Sequence, residues 1–322
     1  MNVLVTGCAG FIGWRTTELL IEQGHQVVGV DNLNDYYDVR LKQWRLNHLT
    51  QLEGFRFENA DLDEQESITR LFENVAFDAV IHLGGRAGVR YSIENPHAYL
   101  KTNAVGTLSI LETMRKHGVC KFVLSSTSSL YAGQDMPFLE SLPVNQPISP
   151  YAASKKAAEA MAYTYHHLYD FDVSILRFFT VYGPAGRPDM APLRFVRWID
   201  EGTPITLYGD GSQSRDFTYI DDIAFGTIAA LKKVGHEIVN LGGGNNPISI
   251  SKMIETFENQ LGKKAIINSQ PFIKADMLHT WADISKAESI LDWKPQVSFE
   301  EGTQRLVDWY RKEKDWVSQL TL

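Results

Sequence analysis

The feature that most constrains this chain is its opening, NVLVTGCAGFIG over residues 2–13. The apolar run at 2–6 reads as a short buried strand. Glycines at 7, 10 and 13 follow, then an amphipathic segment with Ile12, Thr16, Leu19 and Leu20 on one face and Gly24 as its C-cap. The same rhythm recurs downstream. HQVVGVD, FRFENAD near 55–61, DAVIHL at 78–83, CKFVLSS and DVSILRF read as strands. Helices are predicted up to Asn74, from about Pro96 to His117, and over about 150–169. Strands alternating with helices imply a parallel sheet covered on both faces, so the expected fold is an α/β Rossmann-type doubly wound sheet.

Beyond about residue 180 the texture changes. VYGPAGRPDM reads as an irregular loop. TPITLYG, IDDIAFGTIAALKK, ISISKMIETFENQL and ADISKAESIL then suggest a smaller mixed α/β lobe, closed by a surface helix near 299–314. The expected division is a dinucleotide-binding domain at 1–179 and a substrate lobe at 180–322, with the chain crossing between them. A length of 322 residues with 44% apolar and 22% charged residues accommodates both.

The remaining composition narrows the function. Two cysteines, Cys8 and Cys120, supply neither a thiolate metal site nor a disulfide framework. A formal net charge of −8 argues against nucleic acid as the partner. No apolar run approaches the roughly 20 residues that span a bilayer, and residues 1–13 carry no basic leader, so a cytoplasmic protein is expected and no membrane partner.

The glycines point to a phosphate. Between a strand and a helix, glycine lets backbone approach a pyrophosphate, whose charge the helix N-terminus stabilises. Asp31 ends the second strand, where a carboxylate accepts from an adenosine ribose and repels a 2′-phosphate. NAD is therefore expected rather than NADP. Asp61, after the third strand, is placed to reach the adenine edge, although an Asp there is equally a helix cap.

Residues 151–155, YAASK, put Tyr151 and Lys155 one turn apart on the same helix face. A lysine ammonium near a phenol lowers the phenol's pKa, which would let Tyr151 take a proton near neutral pH. Tyr and Lys at this spacing are common by chance. VLSSTSSLY, which carries Thr127 and further hydroxyls off a strand end, makes the pair meaningful.

In order along the chain run GCAGFIG, DNLNDYYD, AGVRYSIENP, SSTSSLY, SPYAASK, RFFTVYGPAGRPDMA, RDFTYIDDI and TWADISKAESILDWKP. Over essentially its whole length the sequence resembles the nucleotide-sugar epimerases of the extended short-chain dehydrogenase/reductase superfamily, most closely those acting on UDP-glucuronate. The resemblance implies that Gly7, Gly10, Phe11, Ile12, Gly13, Asp31, Asn32, Asp61, Leu62, Asn103 and Lys155 hold NAD. It makes Tyr151 the general base and acid, with Lys155 and Thr127 assisting. Arg215 and Asp276 would hold the UDP moiety, and Arg187 the sugar carboxylate, with Arg90, Ser128, Ser129 and Thr180 also at the substrate. Departures flank the cofactor site: Cys8, taken as packing, Trp14-Arg15 for a smaller pair, Gly84-Gly85-Arg86 where the family has Ala-Ala-Gln, and SLYAG for SVYG.

Related enzymes that dehydrate or decarboxylate carry an acid just after the catalytic Thr or Ser. Ser128 and Ser129 stand there instead. The expected reaction is therefore plain 4-epimerisation of a UDP-sugar, UDP-glucuronate to UDP-galacturonate, through a transient 4-keto sugar. A UDP-glucose/UDP-galactose 4-epimerase and a UDP-glucuronate decarboxylase are the alternatives. A non-catalytic NAD-sensing protein is a remote one, since Tyr151 and Lys155 are both intact. For Arg187 the competing reading is a loop-ordering salt bridge. A homodimer is expected through the helices near 96–117 and 150–169, with Met161, Tyr165 and Leu168 at the seam or in the core. His166-His167 are adjacent and cannot share a metal.

Overall fold

The computed structural model describes residues 1–244, 247–272 and 278–321. Seven parallel strands form the central sheet. In chain order its elements begin β1 (Asn2–Thr6), α1 (Phe11–Glu22), β2 (Gln26–Asp31), α2 (Val39–Leu49), β3 (Phe55–Asn59), α3 (Gln65–Asn74) and β4 (Ala79–His82). They continue with α4 (Val89–Glu94), α5 (Pro96–Tyr99), α6 (Gly106–His117), β5 (Lys121–Thr127), α7 (Pro150–Tyr169) and β6 (Asp172–Phe178). Strands β4 and β5 are buried along their whole length, as a sheet covered on both faces requires.

The order across the sheet reverses between β1 and β4, which lie side by side although β2 and β3 intervene in sequence. At such a reversal the connections after the two strands leave in opposite directions and open a crevice at the carboxyl ends. The glycine turn after β1 and residues 83–86 after β4 meet there. A Cβ on Gly7, whose φ is +72°, would lie 2.8 Å from Gly84 Cα.

The expected continuous helix from Pro96 to His117 is instead three pieces. Between α5 and α6, Leu100–Val105 forms a π-helical turn. The wider turn carries Asn103, whose side chain accepts from Arg86 N–H at 2.8 Å and donates to Arg86 O at 2.9 Å. Periodicity of apolar residues does not report such a local widening.

Past β6 come β7 (Thr180–Tyr182), α8 (Ala191–Glu201), β8 (Ile205–Tyr208), β9 (Ser214–Arg215), β10 (Phe217–Tyr219), α9 (Ile220–Ala229) and β11 (His236–Leu241). Strand β11 pairs with β6 as the edge of the central sheet. Helix α9 packs on α1, where Arg15 Nε meets Asp221 Oδ1 at 2.7 Å. The rest comprises β12 (Ile248–Ser249), α10 (Ile250–Leu261), β13 (Ile267–Gln270), α11 (Ser285–Leu291) and α12 (Phe299–Val317). Helix α12 was expected as a surface element ending near 314. It is longer, and Trp309 and Trp316 pack against Trp44 of α2, which meets Trp14 edge-on.

Candidate active site

The crevice deepens into a cavity of about 950 Å³ between the carboxyl ends of the sheet and the segments after residue 180. Its floor is the glycine turn. A Cβ on Gly13 would lie 2.0 Å from Gly7 O, and Gly10 caps α1 without a side chain for the first amides. The helix N-terminus thus faces the cavity with bare backbone, which suits an anionic diphosphate. Gly7, Gly10, Phe11, Ile12, Gly13, Asp31, Asn32, Asp61 and Leu62 all line this end.

Asp31 is fixed by its own loop. Oδ2 accepts from Ala9 N–H at 3.2 Å and Oδ1 from Leu33 N–H at 2.9 Å, with Lys42 Nζ 3.9 Å away. Asn32 donates to Asp61 Oδ2 at 3.0 Å, which joins the two carboxylate loops. These groups suit the adenosine end of a dinucleotide. Asn103 is the exception among the expected cofactor contacts. It stands behind the wall, buried, with its amide engaged by Arg86 and by Ser154 Oγ at 2.9 Å.

The chemistry-bearing end is set by a helix cap. Ser149 Oγ accepts from Ala152 N–H at 3.1 Å, and Pro150 occupies the first helical position of α7. Tyr151 therefore sits in the first turn, where the helix dipole favours a phenolate, and Lys155 lies one turn on. Beside Tyr151, Thr127 Oγ1 accepts from Ser129 N–H at 3.1 Å, which caps a tight turn presenting Ser128 and Ser129.

One expectation about this pair needs correction. Burial pushes the Tyr151 phenol up, and the groups that pull it back are its hydrogen bond to Thr127 and the Arg187 charge. The Lys155 ammonium instead donates to Ser125 O at 3.0 Å and Ser125 Oγ at 3.3 Å. Burial brings the lysine down to about 8, against the opposing field of Glu159.

Arg187 also departs from the simplest reading. Its Nε and Nη2 grip Asp189 at 3.0 and 2.6 Å, and its guanidinium stacks 5.3 Å from the Tyr36 ring centroid. The loop-ordering salt bridge is thus present, with Nη1 outside the fork. The arginine still lines the cavity with Thr180, Arg90 and Arg215. Arg90 lies over Tyr208, 5.5 Å from its centroid, and Arg215 donates to Ser214 O at 2.9 Å. Asp276 lies outside the described residues.

Sequence reasoning missed Tyr36, Lys42 and Asp189. The first lies within DNLNDYYD and the third two residues after Arg187, so both had a local signal. Lys42 had none, being brought to Asp31 by the packing of α2. Among the described residues, the carboxylates lining the cavity are Asp31, Asp61 and Asp189; none follows Thr127, where Ser128 and Ser129 stand.

Comparison with known proteins agrees with this geometry. Residues 4–306 match the family model described as GDP-mannose 4,6 dehydratase. A UDP-glucuronate 4-epimerase from Thermodesulfobacterium geofontis is 56% identical over 317 residues, 98% of each chain. A crystal structure of a UDP-glucuronic acid 4-epimerase from Bacillus cereus, in complex with UDP-glucuronic acid and NAD, has a TM-score of 0.91 at 36% identity and covers 97% of this chain and 100% of its own. A UDP-glucose 4-epimerase from Thermotoga maritima, solved with UDP-glucose, has a TM-score of 0.89 at 31% identity, covering 98% and 100%.

Proposed function

The chain belongs to the family described as GDP-mannose 4,6 dehydratase, and within it we infer an NAD-dependent 4-epimerase that interconverts UDP-glucuronate and UDP-galacturonate. One observation carries the choice of reaction: Tyr151, Lys155 and Thr127 face a cavity floored by the glycine turn, and hydroxyls rather than a carboxylate follow Thr127.

A bound NAD would supply reversible hydride exchange at the sugar's C4, which leaves no net change of oxidation state. The chain's own residues do the rest. Tyr151 takes the C4 hydroxyl proton and later gives it back, with Thr127 holding the reacting oxygen in line. Lys155, held toward Ser125, would bind the nicotinamide ribose hydroxyls. Asp31 takes the adenosine ribose, and Arg215 the substrate diphosphate.

A 4-keto glucuronate loses carbon dioxide when its carboxylate bond aligns with the carbonyl π system. Arg187, pinned by Asp189 and Tyr36, holds the carboxylate out of that alignment together with the Thr127 and Ser128 hydroxyls. Pinning by Asp189 sharpens rather than opposes this role, since a fixed guanidinium loses less freedom on binding.

The decisive measurement is NMR of UDP-glucuronate incubated with the purified protein, with and without added NAD. UDP-galacturonate with no net NADH and no carbon dioxide is expected; a pentose product or an untouched substrate would overturn the reading. With Arg187→Ala, turnover falls and carbon dioxide release rises, and unchanged values would remove Arg187 from the carboxylate.

The reading includes a homodimer and a cytoplasmic location. Exposed Met161 and Leu168 on α7, with Leu100, Val105 and Leu108 on the neighbouring helical stretch, offer an apolar face for a second copy. Tyr165 is not part of it: it is buried in the core, its hydroxyl on Glu112. Light scattering of Leu168→Glu tests the dimer, which should dissociate. The cytoplasm keeps thiols such as Cys8 and Cys120 reduced, and cell fractionation checks that placement.

A further inference from the structure

We propose that Arg86 holds the diphosphate of the bound dinucleotide and so keeps NAD on the protein between turnovers. The inference rests on the NAD-dependent reading above and adds a residue to it.

Position is the first argument. Residues 83–86 leave β4 against the glycine turn, with Gly84 Cα 2.8 Å from the place a Gly7 Cβ would occupy. A Cβ on Gly85 would lie 3.2 Å from Lys155 Nζ. Arg86 directly follows two glycines that meet, in turn, the turn that suits a phosphate and the lysine that suits a ribose. Its charge is felt at Lys42, beside Asp31, where it adds to the lowering of that ammonium's pKa by burial. A dinucleotide with one ribose at Asp31 and the other at Lys155 would run its diphosphate past the glycine turn, in the cavity that Arg86 also lines.

The second argument is how firmly the residue is held. Asn103 clamps both its N–H and its carbonyl, at 2.8 and 2.9 Å. The π turn that carries Asn103 thus acts to fix one arginine's backbone.

The third is unused valence. Arg86 lines the cavity, yet its Nε is buried and without a hydrogen-bond partner among the described residues. The neighbouring cations are engaged, Arg187 by Asp189 and Lys42 beside Asp31. A buried donor left unpaired is costly, and a guanidinium fork matches phosphate oxygens.

The test compares the wild type with Arg86→Gln and Arg86→Lys. NAD released from the protein as purified is measured by chromatography, and affinities for NAD, ADP-ribose, adenosine and UDP by calorimetry. Arg86→Gln should lose bound NAD and weaken NAD and ADP-ribose about 10- to 100-fold. Adenosine and UDP should stay within about twofold, Arg86→Lys should retain part of the affinity, and added salt should shrink the difference. Unchanged NAD affinity would overturn the proposal. So would a loss confined to UDP, which would put Arg86 on the substrate, or an equal loss for adenosine, which would mean a disturbed fold. The outcome is independent of the reaction: a protein that turns over no UDP-glucuronate yet loses NAD in Arg86→Gln keeps this inference and sinks the functional one.

Discussion

Ser126 and Ser125 are neighbours on β5, and each meets a charged residue of α7, one turn apart. Ser126 Oγ donates to Glu159 at 2.6 Å, while Ser125 accepts from Lys155. From there the two surroundings diverge. Arg177 grips Glu159 through Nε and Nη2, both at 2.9 Å, and its Nη1 donates to Tyr131, whose hydroxyl donates to Asn240 at 2.8 Å. Asn240 passes the chain on to Phe138 O. In this set burial is overcome, and Glu159 stays below the usual carboxylate range through the Arg177 bonds and charge and the Ser126 hydroxyl. Around Lys155 and Tyr151 burial wins instead, moving both groups toward their neutral forms. Equal burial thus yields opposite behaviour. Where protein groups meet every demand, the charge is locked; where a ligand is needed to complete the set, the proton is left movable.

Tyr151→Phe should cut epimerisation by about 10^3-fold while leaving the melting temperature near that of the wild type, as followed by NMR and thermal unfolding. Equal losses of turnover and stability would erase the contrast. Arg177→Met should do the reverse, costing about 3–5 kcal/mol of unfolding free energy because Glu159 is left buried and charged. Denaturant titration measures it, and pairing with Glu159→Leu should recover most of the loss. If the double variant is no better than the single one, the ion pair is not what locks this region.

The smallest effect concerns Lys155. Its folded-state pKa of about 8 lies below the ordinary 10.5, so the charged form is the one that burial penalises. Without ligand that penalty is fully present below about pH 8 and is relieved as pH rises toward 10.5. Lys155→Met should therefore be more stable than wild type at pH 7, by up to roughly 3 kcal/mol, with the gap closing by pH 10. Scanning fluorimetry across that range checks it, and a gap independent of pH would show that the ammonium carries no such strain.

What the sequence made legible is what short stretches of chain determine. The glycine turn, Asp31 at a strand end and a helix beginning near residue 150 are each specified within a few residues, and all stand where they were expected. What it hid depends on partners far along the chain. The π turn exists where Asn103 reaches Arg86, and Tyr165, open to either seam or core, packs in the core while Glu112 of another helix takes its hydroxyl. Lys155 was expected to act on its neighbour Tyr151, but Ser125, thirty residues earlier, claims it. For Arg187 both a sugar carboxylate and a loop-ordering salt bridge were legible, but not that Asp189 is the partner in the bridge.

Strand β11 has a consequence for how the molecule is made. A ribosome delivers β6 as far as Phe178 well before His236 exists. At about 5–20 residues per second, the interval lasts roughly three to twelve seconds. Throughout it β6 presents an unpaired edge, open to the wrong strand of a neighbouring nascent chain. Slow synthesis or a pause between these positions should therefore favour aggregation, and a chaperone that covers the β6 edge should raise the yield.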